Sequence, residues 1–159
     1  MALVSPRVNV GEAVPADYPS IREMLQEYAA WLAIDLSYQD FAREVRDLPG
    51  EYARPRGGLF IARKDEESAG MVAFRPCSDG RAEMKRLYVR PRARGSGAGY
   101  LLVERALAEA RAAGYEAMIL DTLPVMGSAQ RLYERFGFRD VAPYYESPVA
   151  GTRYMALNL

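Results

Sequence analysis

Ile21, Met24, Leu25, Tyr28 and Leu32 return at three- and four-residue intervals, the spacing that puts them on one face of a helix beginning at Tyr18. Weak alternation over residues 8–14 predicts a strand ahead of it, and Pro15-Ala16-Asp17 supplies a start signal with Asp17 as N-cap. A second helix is expected over residues 37–48, with Phe41 and Val45 inward and Pro49-Gly50 ending it. Residues 59–63 and 71–74 flank the charged turn KDEESAG and predict a hairpin. After the turn signal Asp79-Gly80, residues 82–89 read as a strand. A helix follows over residues 100–113, with Val103, Ala106, Leu107 and Ala110 inward and Gly114 at its end. Residues 117–121 form a continuous apolar strand of the kind covered on both faces. Ala129, Leu132, Tyr133 and Phe136 make a further helix face closed by Gly137, and residues 139–142 and 152–157 end the chain as strands.

This order predicts an α/β domain, a mixed sheet with helices on its faces. Only the strands at 82–89 and 117–121, joined by a crossover helix, are expected to run parallel. Within residues 82–89 the apolar positions are 82 and 84, then 87 and 89, so the inward parity switches across Lys85-Arg86. Strand side chains alternate strictly, so the switch points to a β-bulge or to a strand covered on both faces.

At 159 residues the chain is expected to form one domain, residues 1–159, and its half-apolar, quarter-charged composition is that of a folded soluble protein. It contains no histidine, which excludes Ser-His-Asp and Cys-His catalysis and the histidine zinc motifs. Acid and base roles fall to carboxylates, tyrosine, lysine, backbone amides or water, and no metal is expected. The single Cys77 follows Pro76 with no histidine to activate it and reads as an inert structural thiol. A lone cysteine, a longest apolar run of only Tyr28 to Ile34, and a start without a signal-peptide pattern lead to the expectation of a cytoplasmic protein with no membrane partner.

The 21 basic and 21 acidic residues cancel, but unevenly. Arg81, Lys85, Arg86, Arg90, Arg92 and Arg94 lie within fourteen residues that hold one acid, Glu83. They lead into Arg94-Gly95-Ser96-Gly97-Ala98-Gly99, between a predicted strand and a helix, where consecutive amides and a helix N-terminus would form a pyrophosphate cradle. The alternative is a tight turn beside a solvated face. The loop is neither GxxxxGK[ST] nor a GxGxxG at a first strand, so the common nucleotide motifs do not apply. One short basic run without aromatic platforms in a neutral chain is a poor footprint for nucleic acid.

The run EMKRLYVRPRARGSGAG, the following amphipathic helix, a strand ending LDT and the segment AQRLYERFGF resemble the GNAT superfamily of acyl-CoA-dependent N-acyltransferases. Arg94, Gly97 and Gly99 match its R/Q-x-x-G-x-G/A element, and Ala129, Leu132, Tyr133, Gly137 and Phe138 match its second motif. The resemblance implies a three-layer fold with a mixed, mostly antiparallel, splayed sheet of about seven strands between helices. It implies acetyl-CoA as co-substrate, with Arg94, Gly95, Ser96, Gly97, Ala98 and Gly99 at the pyrophosphate, Leu87, Tyr88 and Val89 along the pantetheine arm, and Ser128 nearby. The family often has an asparagine where this chain has Met126, a place Ser128 or a backbone group could fill.

An alkyl ammonium with a pKa of about 10.4 must lose a proton before it attacks a thioester. Glu83 matches the glutamate base of one branch of the family, with a salt bridge or a water chain as alternatives, and as a base it is expected to need a pKa raised by burial. Tyr133 matches the family's general acid for the departing thiolate, and a strand amide such as that of Leu87 or Val89 would meet the oxyanion. The implied activity is acetyl transfer to a primary amine of a small metabolite, peptide or lysine. The alternative is a non-catalytic acyl-CoA sensor on the same fold. A homodimer through the C-terminal strands is a further implication. Trp31, Tyr38, Tyr52, Arg54, Arg56, Tyr144, Tyr145 and Glu146 are candidates for acceptor contacts, each of which could equally pack or face solvent.

Overall fold

In the computed structural model, which describes residues 7–159, the apolar runs become seven strands of one sheet. They are β1 (Val8–Glu12), β2 (Gly58–Lys64), β3 (Glu67–Pro76), β4 (Arg81–Val89), β5 (Ala117–Thr122), β6 (Arg139–Asp140) and β7 (Arg153–Asn158). The spatial order is β1-β2-β3-β4-β5-β7-β6, antiparallel at every junction except β4 with β5. These two are joined through helix α3 (Ala98–Ala112), the kind of long crossover that a parallel pair requires.

Both faces of the sheet are covered. Helix α1 (Tyr18–Leu32) sets Ile21, Met24, Leu25 and Tyr28 against Leu59, Ile61, Met71 and Ala73. On the other face α3 and α4 (Gly127–Phe136) bring Leu102, Val103, Ala106 and Tyr133 to Phe60, Val72, Met84 and Leu120. β2 gives alternate residues to each core, which is why its sequence reads as an unbroken apolar run. Each fully buried Leu, Ile, Phe or Met contributes ~1.5–3 kcal/mol.

Three local expectations are corrected. The helix expected at 37–48 is broken, because Asp40 adopts φ 56° and separates a 3-10 turn (Ser37–Gln39) from α2 (Phe41–Arg46). Asp17 does not cap α1 with its side chain; the carboxylate accepts the Val14 N–H at 2.9 Å and pairs with Arg63. β6 ends at Asp140, two residues early.

The parity switch in β4 is a bulge. Pairing with β3 jumps from Met71↔Tyr88 to Ala73↔Lys85, and Arg86 sits at φ 63°. Met84 and Leu87 therefore meet the same core although they are three residues apart, with Lys85 and Arg86 left between them. A left-handed non-glycine residue costs ~1–2 kcal/mol. Arg86 is held there by a two-pronged pair with Glu44, 2.9 Å on each prong, between the rings of Tyr28 and Phe41. Just before the bulge the sheet splits. β4 pairs with β5 only at Arg81↔Ala117, Ala82↔Met118 and Glu83↔Ile119, although β5 continues to Thr122.

Candidate active site

Past the open edge of β4 the chain enters the glycine loop. Gly95 and Gly97 have φ of 79° and 90°, conformations that favour glycine, and a Cβ on either would meet nothing within 4 Å. Arg94 and Ser96 donate their amides to Pro91 and Ala93 carbonyls at 3.3 and 3.2 Å. The N–H groups of Gly95, Gly97 and Gly99 find no acceptor among the described residues. Free amides, open space and the positive end of α3 together make an anion cradle.

The cradle belongs to a cavity of about 320 Å³ between β4 and α4. Leu87, Tyr88 and Val89 form one wall, and Arg94, Gly95, Gly97, Ala98 and Gly99 form its end. Ser128 and Leu132 face them from α4. Ser96, expected with this group, does not line the cavity; its hydroxyl donates to the Ala93 carbonyl and shapes the loop. Tyr88 reaches the cavity although its hydroxyl is turned to Glu27 at 3.1 Å. Trp31, expected among acceptor contacts, lies on this side, 45% exposed at the lip, with the Arg94 guanidinium 5.8 Å from its ring. The Met126 sulfur accepts the Leu123 N–H at 3.4 Å and fixes the turn between β5 and α4.

A second cavity of about 670 Å³ is lined by Arg75 and Cys77 from the end of β3, Glu83 and Lys85 from β4, Tyr38 and Gln39 before α2, and residues 144–148 of the loop before β7. Glu83 is 4% exposed at its side chain, accepting from Arg75 Nε at 2.9 Å and from the Tyr144 hydroxyl at 2.5 Å. Burial alone would raise this carboxyl, but Lys85, Tyr144 and Arg75 outweigh burial and hold its pKa below the ordinary value, contrary to the sequence expectation. Burial, and then the charge of Glu83, pushes the Tyr144 phenol up.

Three neighbouring cations, the part-exposed Arg75 and the buried Lys85 and Arg86, differ in their partners. Arg75 is committed to Glu83 and, at 2.5 Å, to Glu51, and Arg86 is committed to Glu44. Lys85, 7% exposed, donates only to the Gln39 side-chain oxygen at 3.3 Å and makes no ion pair among the described residues. Burial, then the neighbouring Arg86 charge, pushes its ammonium pKa down, while Glu83 and Asp121 oppose the shift.

A third, small cavity of about 20 Å³, room for roughly one water-sized group, forms a constriction that shares lining residues with both. Leu87 and Met126 line it in common with the first cavity, Gln39 and Lys85 in common with the second. Tyr133 and Asp121 complete it. Tyr133 is 4% exposed, and burial raises its phenol, so the hydroxyl keeps its proton at neutral pH. Asp121, at the end of β5, accepts the Tyr145 hydroxyl at 2.7 Å.

Tyr38, Tyr144, Tyr145 and Glu146 line the second cavity as candidates for acceptor contact, whereas Trp31, Tyr52, Arg54 and Arg56 do not. Tyr52 buries its hydroxyl without a hydrogen-bond partner beneath a neighbouring cavity. Arg54 ties β1 to α3 through Glu12 and Glu109, both at 2.7 Å, and Arg56 is exposed, its carbonyl accepting from Tyr115. Sequence reasoning missed Lys85, Gln39 and Asp121. The available signal for Asp121 was position, a carboxylate at the C-terminal end of a parallel strand, where open sheets hold ligands.

Residues 18–138 match the family model described as the acetyltransferase (GNAT) family. The chain is 38% identical over 148 residues to an uncharacterised N-acetyltransferase of Schizosaccharomyces pombe, covering 92% of this chain and 91% of that one. An acetyltransferase of the GNAT family from Staphylococcus aureus has the same fold, with a TM-score of 0.80 at 17% identity over 96% of this chain and 99% of that one. The yncA protein of Salmonella typhimurium, solved with its cofactor acetyl-CoA, gives 0.67 at 21% identity, covering 95% and 93%.

Proposed function

Because the chain belongs to the acetyltransferase (GNAT) family and is an acetyl-CoA-dependent N-acetyltransferase, we propose that it acetylates a primary amine by direct attack, with both substrates bound together. The observation that carries this reading is the pair of cavities sharing one constriction at the β4 bulge, with Tyr133 in its wall.

The residues of the first cavity suit acetyl-CoA, which supplies the acetyl thioester when bound. The free amides of Gly95, Gly97 and Gly99 donate to the pyrophosphate, with Arg94 beside them. The edge of β4 from Leu87 to Val89, unpaired on the β5 side, offers backbone groups to the amides of the arm as an added strand would. Tyr133, protonated, donates to the departing sulfur.

Glu83 is ionised and stays so at neutral pH. Its lowered pKa makes it a weak base toward an ammonium of about 10.4. It therefore orients water in the second cavity, and that water takes the proton and passes it to solvent, with Glu83 remaining ionised. Cys77, a free thiol, and the absence among the described residues of any helix long and apolar enough to cross a membrane support a cytoplasmic setting.

The test is release of CoA thiol from acetyl-CoA across an amine panel, with initial rates at varied concentrations of both substrates. Intersecting lines are expected, and parallel lines would sink direct attack. Tyr133→Phe is expected to lower kcat by ~10²-fold with unchanged acetyl-CoA affinity. A fully active variant would remove Tyr133 from the acid role.

A further inference from the structure

Beside Arg86, which is paired with Glu44, the junction of the two cavities is lined by one further cation and one carboxylate, neither of which makes an ion pair among the described residues. Lys85 lines both the constriction and the second cavity, with a single hydrogen bond to Gln39. Asp121 lines the constriction and accepts only a phenol, Tyr145. They are not within 4.0 Å of each other, whereas the neighbouring Arg75 and Arg86 are neutralised by Glu83 and Glu44. A buried ammonium without a counter-charge is costly, and so is a carboxylate at a constriction, unless a ligand completes both.

We infer that the acceptor is an amine bearing a carboxylate on or next to its amine-bearing carbon, the carboxylate bound by Lys85 and the nitrogen placed beside Asp121. The inference rests on the direct-attack reading and narrows its acceptor. The constriction admits about one small group, so the nitrogen enters it toward Tyr133 while the carboxylate stays at the entrance with Lys85. The remainder of the acceptor occupies the larger cavity, against Tyr38, Tyr144 and Tyr145. Three phenol rings suit an apolar or aromatic body better than a second charge. Lys85 and Asp121 are binding and positioning groups here, and Tyr133 keeps the acid role. The bulge explains the arrangement: without the extra residue at Arg86, either Lys85 or the strand beyond it would be turned to the wrong face.

The experiment compares phenylalanine, leucine and glutamate, each beside its carboxamide and its decarboxylated amine, with wild type, Lys85→Met and Lys85→Arg. Thiol release is read as kcat and KM, and binding of each amino acid is read separately by calorimetry with CoA present, where no turnover occurs. For wild type at least one free acid is expected to exceed its decarboxylated partner by ~30-fold or more in kcat/KM, mostly through KM. Lys85→Met should bring that ratio to within about threefold, and Lys85→Arg should restore part of it. A thermal melt of each variant separates lost binding from lost folding.

Wild-type activity toward carboxylate-free amines equal to that toward the acids would overturn the inference and leave acetyl transfer standing. A ratio unchanged in Lys85→Met would remove Lys85 as the carboxylate group. Lys85-dependent binding of an acid, with no thiol release from any amine, would overturn direct attack but keep the ligand class. Neither binding nor release from any panel member would overturn both.

Discussion

The two cavities present different chemistry. The first is built from backbone: free amides at Gly95, Gly97 and Gly99, an unpaired strand edge, and small residues over one stretch of sequence plus the start of α4. The second is built from charged and phenolic side chains that arrive from four separate segments, Arg75 paired with Glu83 and Lys85 left without an ion pair among the described residues. A backbone site has the same chemistry whatever the neighbouring side chains are, so it suits a co-substrate shared by a family. In a side-chain site the meaning of each charge depends on its partner, so a few substitutions can retune it for a different acceptor.

The largest effect expected from breaking this contrast is in the first cavity. Gly97→Val forces a β-branched residue into φ 90° and fills the cradle, so acetyl-CoA affinity measured by calorimetry should fall on the order of 100-fold or more. A drop below tenfold in a folded variant would mean that the loop amides are not the main anchor. Glu83→Gln should act on the second cavity alone. Arg75 is part-exposed and keeps Glu51, so the loss is of charge-assisted hydrogen bonds at Glu83 and costs ~1.5–3 kcal/mol; the melting temperature should drop by ~3–12 °C while acetyl-CoA affinity stays within about twofold.

The pH dependence sharpens the same point through opposite signs. Glu83 has its folded pKa below the ordinary value, so its stabilising contribution is present above the unfolded pKa of about 4.3 and is lost as pH falls through the folded value. Denaturant unfolding of wild type and Glu83→Gln should therefore converge below about pH 4. Lys85 is a base with a depressed pKa, so the unfolded chain binds more protons and stability should rise with pH up to about 10.4. Lys85→Met should flatten that slope and stabilise the fold at neutral pH, and a destabilised variant would contradict an uncompensated charge. The smallest effect belongs outside both cavities. Arg54→Ala removes part-exposed pairs with Glu12 and Glu109 and should cost ~0.5–1 kcal/mol in unfolding experiments without moving either KM.

Helix α1 and the crossover helix between β4 and β5 were legible because their apolar spacing repeats over several turns, whereas the β2–β3 hairpin was read with a turn of 64–70 that is only Asp65-Glu66, because Glu67, Ser68 and Gly70 carry β3 pairing without apolar side chains. The break at Asp40 was not legible, because a single left-handed residue leaves almost no trace in periodicity. The parity switch was legible, since Ala82, Met84, Leu87 and Val89 record the parity of both halves of β4. Its consequence for Lys85 and Arg86 was not, because Arg86 finds Glu44 across 42 residues of chain. That Trp31 lies beside Arg94 and the glycine loop was not legible for the same reason: position along α1 says nothing about which loop it leans over.

By itself the sequence determined the strand-and-helix order, and it narrowed residues 82–89 to a bulge or a doubly covered strand and residues 94–99 to an anion cradle or a tight turn, because periodicity and glycine conformation are local properties of contiguous residues. Only the tertiary structure decided what the charges mean. Glu83 became a low-pKa carboxylate through the charge of Lys85 two residues on and by meeting Tyr144, 61 residues away, and Arg75. Lys85 became the buried cation without a counter-ion because each nearby carboxylate was already taken or out of reach. The energy of a buried charge is set by the groups beside it, and those groups are chosen by the fold.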